Sequence, residues 1–219
     1  MTIQSPQGAF NTRRGHISWL LLLAGWALAG LLPAGAVAAT SPQATAEPDI
    51  ATPLRPYVAR YKTTTRGMEL SLTRKLKSGP DDTYTLTNGG KIMVVGFHEV
   101  SVFRVAGTRV IPKSYVYQGT GLINRRREVH FTPGSDTIRS LYKEQWYDLP
   151  KTERTLDRMS QLEQVRLLLL NDPVPAKDFS IQVADGKRVK DYQLVFVGEE
   201  LIQTPLGSVP TLRFKRLHD

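Results

Sequence analysis

Tyr57-Val58-Ala59-Arg60-Tyr61-Lys62 and Met68-Glu69-Leu70-Ser71-Leu72-Thr73 decide the fold. In the first, Tyr57, Ala59 and Tyr61 alternate with Val58, Arg60 and Lys62. In the second, Met68, Leu70 and Leu72 alternate with Glu69, Ser71 and Thr73. A strand sends successive side chains to opposite faces, so this alternation predicts strands with one buried face.

The same rhythm continues. Strands are expected over 82–88, 91–105 (with a break near Gly96), 109–118, 122–131, 136–144, 178–184, 188–197, 200–204 and 208–217. Gly79-Pro80-Asp81, Asn88-Gly89-Gly90, Ala106-Gly107, Pro133-Gly134 and Asp185-Gly186 read as turns between them, and the close spacing favours antiparallel hairpins. One stretch breaks the rhythm. Leu156, Met159, Leu162, Val165, Leu168 and Leu169 recur at three-to-four spacing, which predicts a helix over 155–170 with one apolar face. Ser160 and Glu163 have capping-box spacing, Asp157 can cap a turn earlier, and Asn171-Asp172-Pro173 ends the helix. The expected fold is mainly β: a curved antiparallel sheet or incomplete β-barrel with one covering amphipathic helix.

Upstream, Arg13 and Arg14 precede the apolar run Ile17 to Leu32, and Ala36-Val37-Ala38 has the small residues of a cleavage site. Residues 1–38 therefore read as a signal peptide. The rival is an uncleaved anchor, although the run is shorter than the ~20 apolar residues of a spanning helix. Residues 39–56, with Pro42, Pro48, Pro53 and Pro56 among Ala, Thr, Ser and Gln, read as a linker without apolar periodicity. A single β-rich domain is expected over 57–219, in the periplasm, with no stable membrane span once the leader is cleaved.

The chain carries a formal charge of +9, or +7 without residues 1–38, and no cysteine. The missing thiols exclude disulfides, thiolate catalysis and zinc–thiolate sites. The basic balance favours anionic partners, and export argues against nucleic acid.

Several short motifs resemble a known family. Tyr57-Val58-Ala59-Arg60-Tyr61, Leu156-Asp157-Arg158-Met159-Ser160, Asp185-Gly186 with Tyr192, and Leu201-Ile202-Gln203-Thr204-Pro205-Leu206-Gly207 follow the order and spacing of domain-of-unknown-function family 3108. The resemblance runs from about Tyr57 onward. It implies an exported protein of a Gram-negative envelope and brings no activity or catalytic residue. It also implies further strands after Pro205-Leu206-Gly207, so truncation of the domain at its C-terminal end is expected and closure of the sheet stays open.

No motif assigns chemistry. His98-Glu99 is followed by Val102 where a zinc protease helix needs its second histidine, and His16, His98, His130 and His218 are scattered. Gly119-Thr120-Gly121 lacks the third glycine of a dinucleotide fingerprint, and there is no nucleophile elbow or P-loop. No cofactor, metal site or catalytic residue is expected. Asp157 is read as a helix cap. Arg125-Arg126-Arg127 is the densest charge run. On a strand Arg125 and Arg127 share one face, where they could clamp a phosphate or carboxylate head group, while Arg126 takes the other. The alternative is solvated edge charge. The eight tyrosines and Trp146 suit strands as core, or a groove for amphipathic ligands.

The expected function is a non-catalytic periplasmic module. Its partner would be an anionic lipid, a lipopolysaccharide or an envelope protein, contacted through Arg125 and Arg127. Two alternatives are a hydrolase of envelope polymers using carboxylates such as Asp148 and Glu153, and a scaffold that binds partners along sheet edges.

Overall fold

A computed structural model describes residues 54–217, except 66–67, 93, 123 and 172–177. The leader, nearly all of the linker and His218 lie outside the described residues.

Eight strands follow one another as an antiparallel meander, each bonded to the next in sequence: β1 (Tyr57–Thr65), β2 (Met68–Ser78), β3 (Thr83–Ile92), β4 (Val95–Ala106), β5 (Arg109–Gly121), β6 (Arg126–Phe131), β7 (Thr137–Tyr142) and β8 (Gln145–Pro150). Among the described residues β1 and β8 do not pair, so the sheet does not close into a barrel. The chain then makes a two-residue strand, β9 (Thr155–Leu156), and the helix α1 (Ser160–Asn171). It finishes with β10 (Phe179–Asp185), β11 (Arg188–Thr204) and β12 (Gly207–Leu217). These last strands form a second sheet in the order β12-β11-β10-β9, antiparallel except where β9 meets β10. The mainly β fold with one helix is as expected.

The boundaries differ from the sequence reading for physical reasons. Asn88-Gly89-Gly90 is not a turn but the interior of β3. A Cβ on Gly90 would stand 2.9 Å from the Ser71 carbonyl oxygen, and one on Gly96 would stand 2.8 Å from the Thr120 hydroxyl. These glycines permit close approach within a curling sheet. The strand expected over 136–144 is present as β7 but stops at Tyr142, and β8 beyond it was not expected. Lys143 and Glu144 both take positive φ (51° and 63°), the geometry of a tight hairpin turn, and release β8 as a separate strand. Neither residue type announces such a turn. β11 runs unbroken through 188–204. The extra residue Val197 is accommodated as a bulge beside Gly198, whose φ is +140°. In β5, Pro112 has no N–H for the ladder, and the register slips there so that Lys113 is the extra residue.

The helix is shorter than 155–170, because Thr155 and Leu156 are drawn into β9. Its cap is a reciprocal box, one turn before the Ser160/Glu163 pair. Asp157 Oδ1 accepts from the Met159 and Ser160 N–H groups (2.8 and 2.9 Å), while Ser160 Oγ accepts from the Asp157 N–H (3.0 Å). Asp157 is thus the helix cap that its position predicts. The helix packs on β4 and β5. Gln164 ties it to the β4–β5 turn through the Val110 N–H and the Thr108 carbonyl, and Arg166 reaches the Arg55 carbonyl on its other flank. Enclosure from several sides rotates the burial away from the expected stripe. Val165 and Leu169 are buried as predicted, Leu162 and Leu168 are half-buried, and Leu167 and Glu163 are fully covered. The Tyr57 hydroxyl and Arg166 satisfy the Glu163 carboxylate at 2.7 and 3.0 Å.

One core joins both sheets and the helix. It includes Leu76, Leu86, Phe103, Val129, Ile138 and Leu149 from the first sheet, Leu167 from α1, and Ile181 and Val183 from β10. Leu54 also belongs to it, so the packed part of the chain begins before Tyr57.

Candidate functional site

Strand register places a polar row across the inner face of the first sheet. Arg74 on β2 opposes Asn88 on β3, Asn88 opposes Glu99 on β4, Glu99 opposes Tyr117 on β5, and Tyr117 opposes Arg127 on β6. One rung below, towards the helix, Leu76, Leu86, Ser101, Tyr115 and Val129 are buried. One rung above, Tyr61, Leu72, Gly90, Phe97 and Gly119 line up and remain partly open to solvent, except for the covered Gly119.

The lower side of the row is a hydrogen-bonded unit. Glu99 accepts from the Tyr115 hydroxyl at 2.6 Å and from Asn88 Nδ2 at 2.9 Å. Burial, and then the neighbouring Glu99 carboxylate, push the Tyr115 hydroxyl far above the ordinary phenol range, so it stays protonated and donates. Ser101 donates to Asp157 Oδ2 at 2.8 Å, which joins the sheet to the helix cap.

At its far end the row meets the second sheet. Arg127 lies over the rings of Tyr142 and Tyr117, at 5.1 and 6.0 Å from their centroids. Its guanidinium is 3.5 Å from Asp185, which sits at the β10–β11 turn. Arg158, just before α1, and Lys190 on β11 reach the same carboxylate at 3.4 and 2.6 Å. The turn is docked by the Ser140 hydroxyl, which donates to the Gly186 carbonyl at 2.6 Å, and by the Tyr142 ring against Gly186. Three cations therefore converge on one carboxylate. Even counting Glu99, whose charge also reaches Arg158, the cluster keeps a cationic excess.

Burial alone would raise the pKa of Asp185, but the Lys190 hydrogen bond and the charges of Arg158, Lys190 and Arg127 outweigh it and hold the carboxyl below its usual value. A depressed folded-state pKa stabilises the fold above the unfolded value of about 3.9, and that stability is lost as pH falls through the folded value. Asp185→Asn should therefore lower stability at neutral pH and flatten the acid limb of the stability profile below about pH 4. Urea midpoints measured from pH 7 down to pH 2 will show this; an unchanged acid limb would place Asp185 outside the titrating set.

The residues singled out by sequence separate in the fold. Arg127 occupies the inner face and the cluster just described. Arg125 precedes β6, with its carbonyl accepting from the Gly119 N–H and its side chain exposed. Arg126 points outward, paired with Glu128 and within 3.3 Å of Gln118 Oε1. Of the two carboxylates of the hydrolase reading, Asp148 pairs with Arg139 and Glu153 with Arg109, all exposed at the surface. His130 bonds Glu128 at 2.7 Å and lies near Trp146, and His98 is exposed on β4.

Asn88, Glu99 and Arg158 escaped sequence reasoning, while Tyr115 was read only as one of the strand tyrosines and Asp185 only as a turn residue. A signal existed for two of them. Asn88 and Glu99 occupy the same alternating phase as Leu86 and Phe103, so polar groups stand at inward-facing positions.

No curated protein and no solved structure gives a significant match to the chain. The model of the family described as "Protein of unknown function (DUF3108)" matches residues 56–219, which span both sheets and the helix, and the chain belongs to that family.

Proposed function

We propose that the chain is an exported, non-catalytic envelope module that binds an anionic amphiphile on the inner face of its first sheet. The observation that carries this reading is the cation cluster around Arg127. Arginine suits phosphate and carboxylate groups through paired hydrogen bonds, and here it is backed by two tyrosine rings and shares the Asp185 carboxylate with two other cations. Beside it the open rung offers Leu72, Phe97 and Tyr61 to an apolar tail. Arg125, one rung above Arg127, adds attraction from a more solvated position. The hydrolase reading gains nothing from Asp148 and Glu153, each neutralised by its own arginine.

The test is binding of the purified chain to vesicles of phosphatidylglycerol against vesicles of phosphatidylcholine. A sheltered charge-assisted contact contributes about 1.5–3 kcal/mol, so Arg127→Ser should weaken binding to the anionic vesicles by about tenfold or more. Arg125→Ser should weaken it less, because an exposed charge is screened. Arg126→Ser, on the outer face, should matter least. Equal losses for all three would reduce the attraction to the diffuse basic charge of the chain.

Export is part of the same reading. The ordered Arg13-Arg14 pair, apolar run and Ala36-Val37-Ala38 site support it. N-terminal sequencing of the protein recovered from a periplasmic fraction should begin near Ala39; recovery of intact Met1 on membranes would favour the anchor.

A further inference from the structure

Three cations from three parts of the fold meet at Asp185. Arg127 comes from β6 of the first sheet, Arg158 from the segment before α1, and Lys190 from β11 of the second sheet. They are within reach of solvent: their side chains keep 30%, 33% and 31% exposure, against 13% for the carboxylate that they surround. That carboxylate has two oxygens for three cations. Lys190 takes Oδ2 at 2.6 Å, while Arg127 and Arg158 share Oδ1 at 3.5 and 3.4 Å. A close charge-assisted hydrogen bond measures about 2.7–2.9 Å, so both guanidinium contacts are long. Glu99, the other carboxylate whose charge reaches Arg158, is already held by Tyr115 and Asn88.

Asp185 approaches Arg127 from outside the first sheet. It opens the β10–β11 turn, which runs through Gly186 (φ +69°) and Lys187 to Arg188. The Ser140 hydroxyl and the Tyr142 ring fasten that turn to β7 at Gly186. Rotation about the side-chain bonds of Asp185, or a small retreat of the turn, withdraws the carboxylate and leaves β6 in place. A phosphate monoester has the oxygen that the carboxylate lacks. It brings three acceptor oxygens and a charge of about −1.5 to −2 at neutral pH, one oxygen for each cation.

We propose that Arg127, Arg158 and Lys190 form a phosphate-monoester site that Asp185 fills as an internal substitute, and that a bound phosphate displaces the Asp185 carboxylate. This rests on the reading of the cluster as an anion site and narrows the anion. A phosphate diester has only two free oxygens and repeats the mismatch of the carboxylate. The bound phosphate joins β6 to β11 in the place of Asp185.

The experiment is nuclear magnetic resonance of the ¹⁵N-labelled chain titrated with inorganic phosphate and followed at the Gly186 amide, beside Asp185. The signal should shift saturably. Asp185→Asn, which keeps the shape and removes the competing charge, should tighten phosphate binding by about tenfold. If that variant does not fold, Ser140→Ala serves: it keeps every charge, unfastens the turn and should tighten binding by a smaller factor. Arg158→Gln should weaken binding by about tenfold, while Arg126→Gln, which removes the same charge from the outer face, should leave it unchanged. The proposal is overturned if phosphate does not shift the Gly186 amide, or if Arg126→Gln costs as much as Arg158→Gln. Binding unchanged or weakened by Asp185→Asn, or by Ser140→Ala in its stead, also overturns it and makes Asp185 a fixed bolt between the sheets. Vesicles of phosphatidic acid, a monoester, against vesicles of phosphatidylglycerol, a diester, at matched surface charge separate this site from the reading beneath it. The monoester vesicles should bind more tightly. Arg127-dependent binding that is equal for the two lipids defeats the monoester site alone. Phosphate binding without any vesicle binding defeats the amphiphile reading alone and leaves the site to a free phosphate.

Discussion

Leu167→Ala should lower the unfolding free energy by about 3 kcal/mol, within the range of roughly 2–5 kcal/mol for truncating a buried leucine. Leu167 has no exposed surface and joins the core shared by α1 and both sheets. The helix is held from several sides, by Gln164 at the β4–β5 turn and by Arg166 at Arg55, so it cannot slide to fill the void. The cavity therefore adds its cost to the lost transfer free energy. Leu162→Ala is the control: half-buried, it should cost about 1 kcal/mol or less. Urea unfolding of the two variants beside the wild type will decide. Equal losses would mean that the helix buries the stripe read from periodicity, and not the face that carries Leu167.

Asp157→Ala should cost a further large amount, about 2–4 kcal/mol, because one carboxylate serves three donors. Its removal strips the Met159 and Ser160 N–H groups of their acceptor and leaves the buried Ser101 hydroxyl unpaired. The loss is larger than that of an exposed cap, since water cannot replace the missing partner at a fully buried position. Asp157→Asn separates hydrogen bonding from charge. Its amide oxygen can still take the two backbone donors, so it should recover part of the loss. Ser101→Ala with intact Asp157 should cost less than Asp157→Ala. If Asp157→Ala melts within error of the wild type, the cap and the sheet-to-helix bond are dispensable, and α1 is held by its apolar contacts alone.

Apart from β8 and the two-residue β9, strand existence and phase were legible from local pattern, because a pleat alternates whatever lies across it. Tyr57-Ala59-Tyr61 shows its inward face without reference to any partner. Asp157 was legible as a cap, because its acceptors meet N–H groups two and three residues ahead. The turns at Gly79-Pro80-Asp81, Ala106-Gly107 and Asp185-Gly186 were legible from residue chemistry. The turn at Lys143-Glu144 was not, because strand pairing on both sides imposes positive φ on residues that do not prefer it. Gly89 and Gly90 were misread for the complementary reason: a glycine needed for close approach between strands looks the same in sequence as one needed for a turn.

What the sequence by itself determined is therefore local: mainly β structure, one helix with its cap, a basic balance, and Arg126 and Arg127 on opposite sides of a strand. Tertiary structure decided where each of those arginines lies. Arg127 becomes a shared partner of Asp185 only because the β10–β11 turn docks against β7, and Arg125 is left in solvent because the chain has not yet entered β6. It also decided that the inner face is polar in its middle. Period two reports which residues share a face, but the row from Arg74 to Arg127 exists only through the register of five strands. Register is a property of the paired sheet, and no single strand contains it.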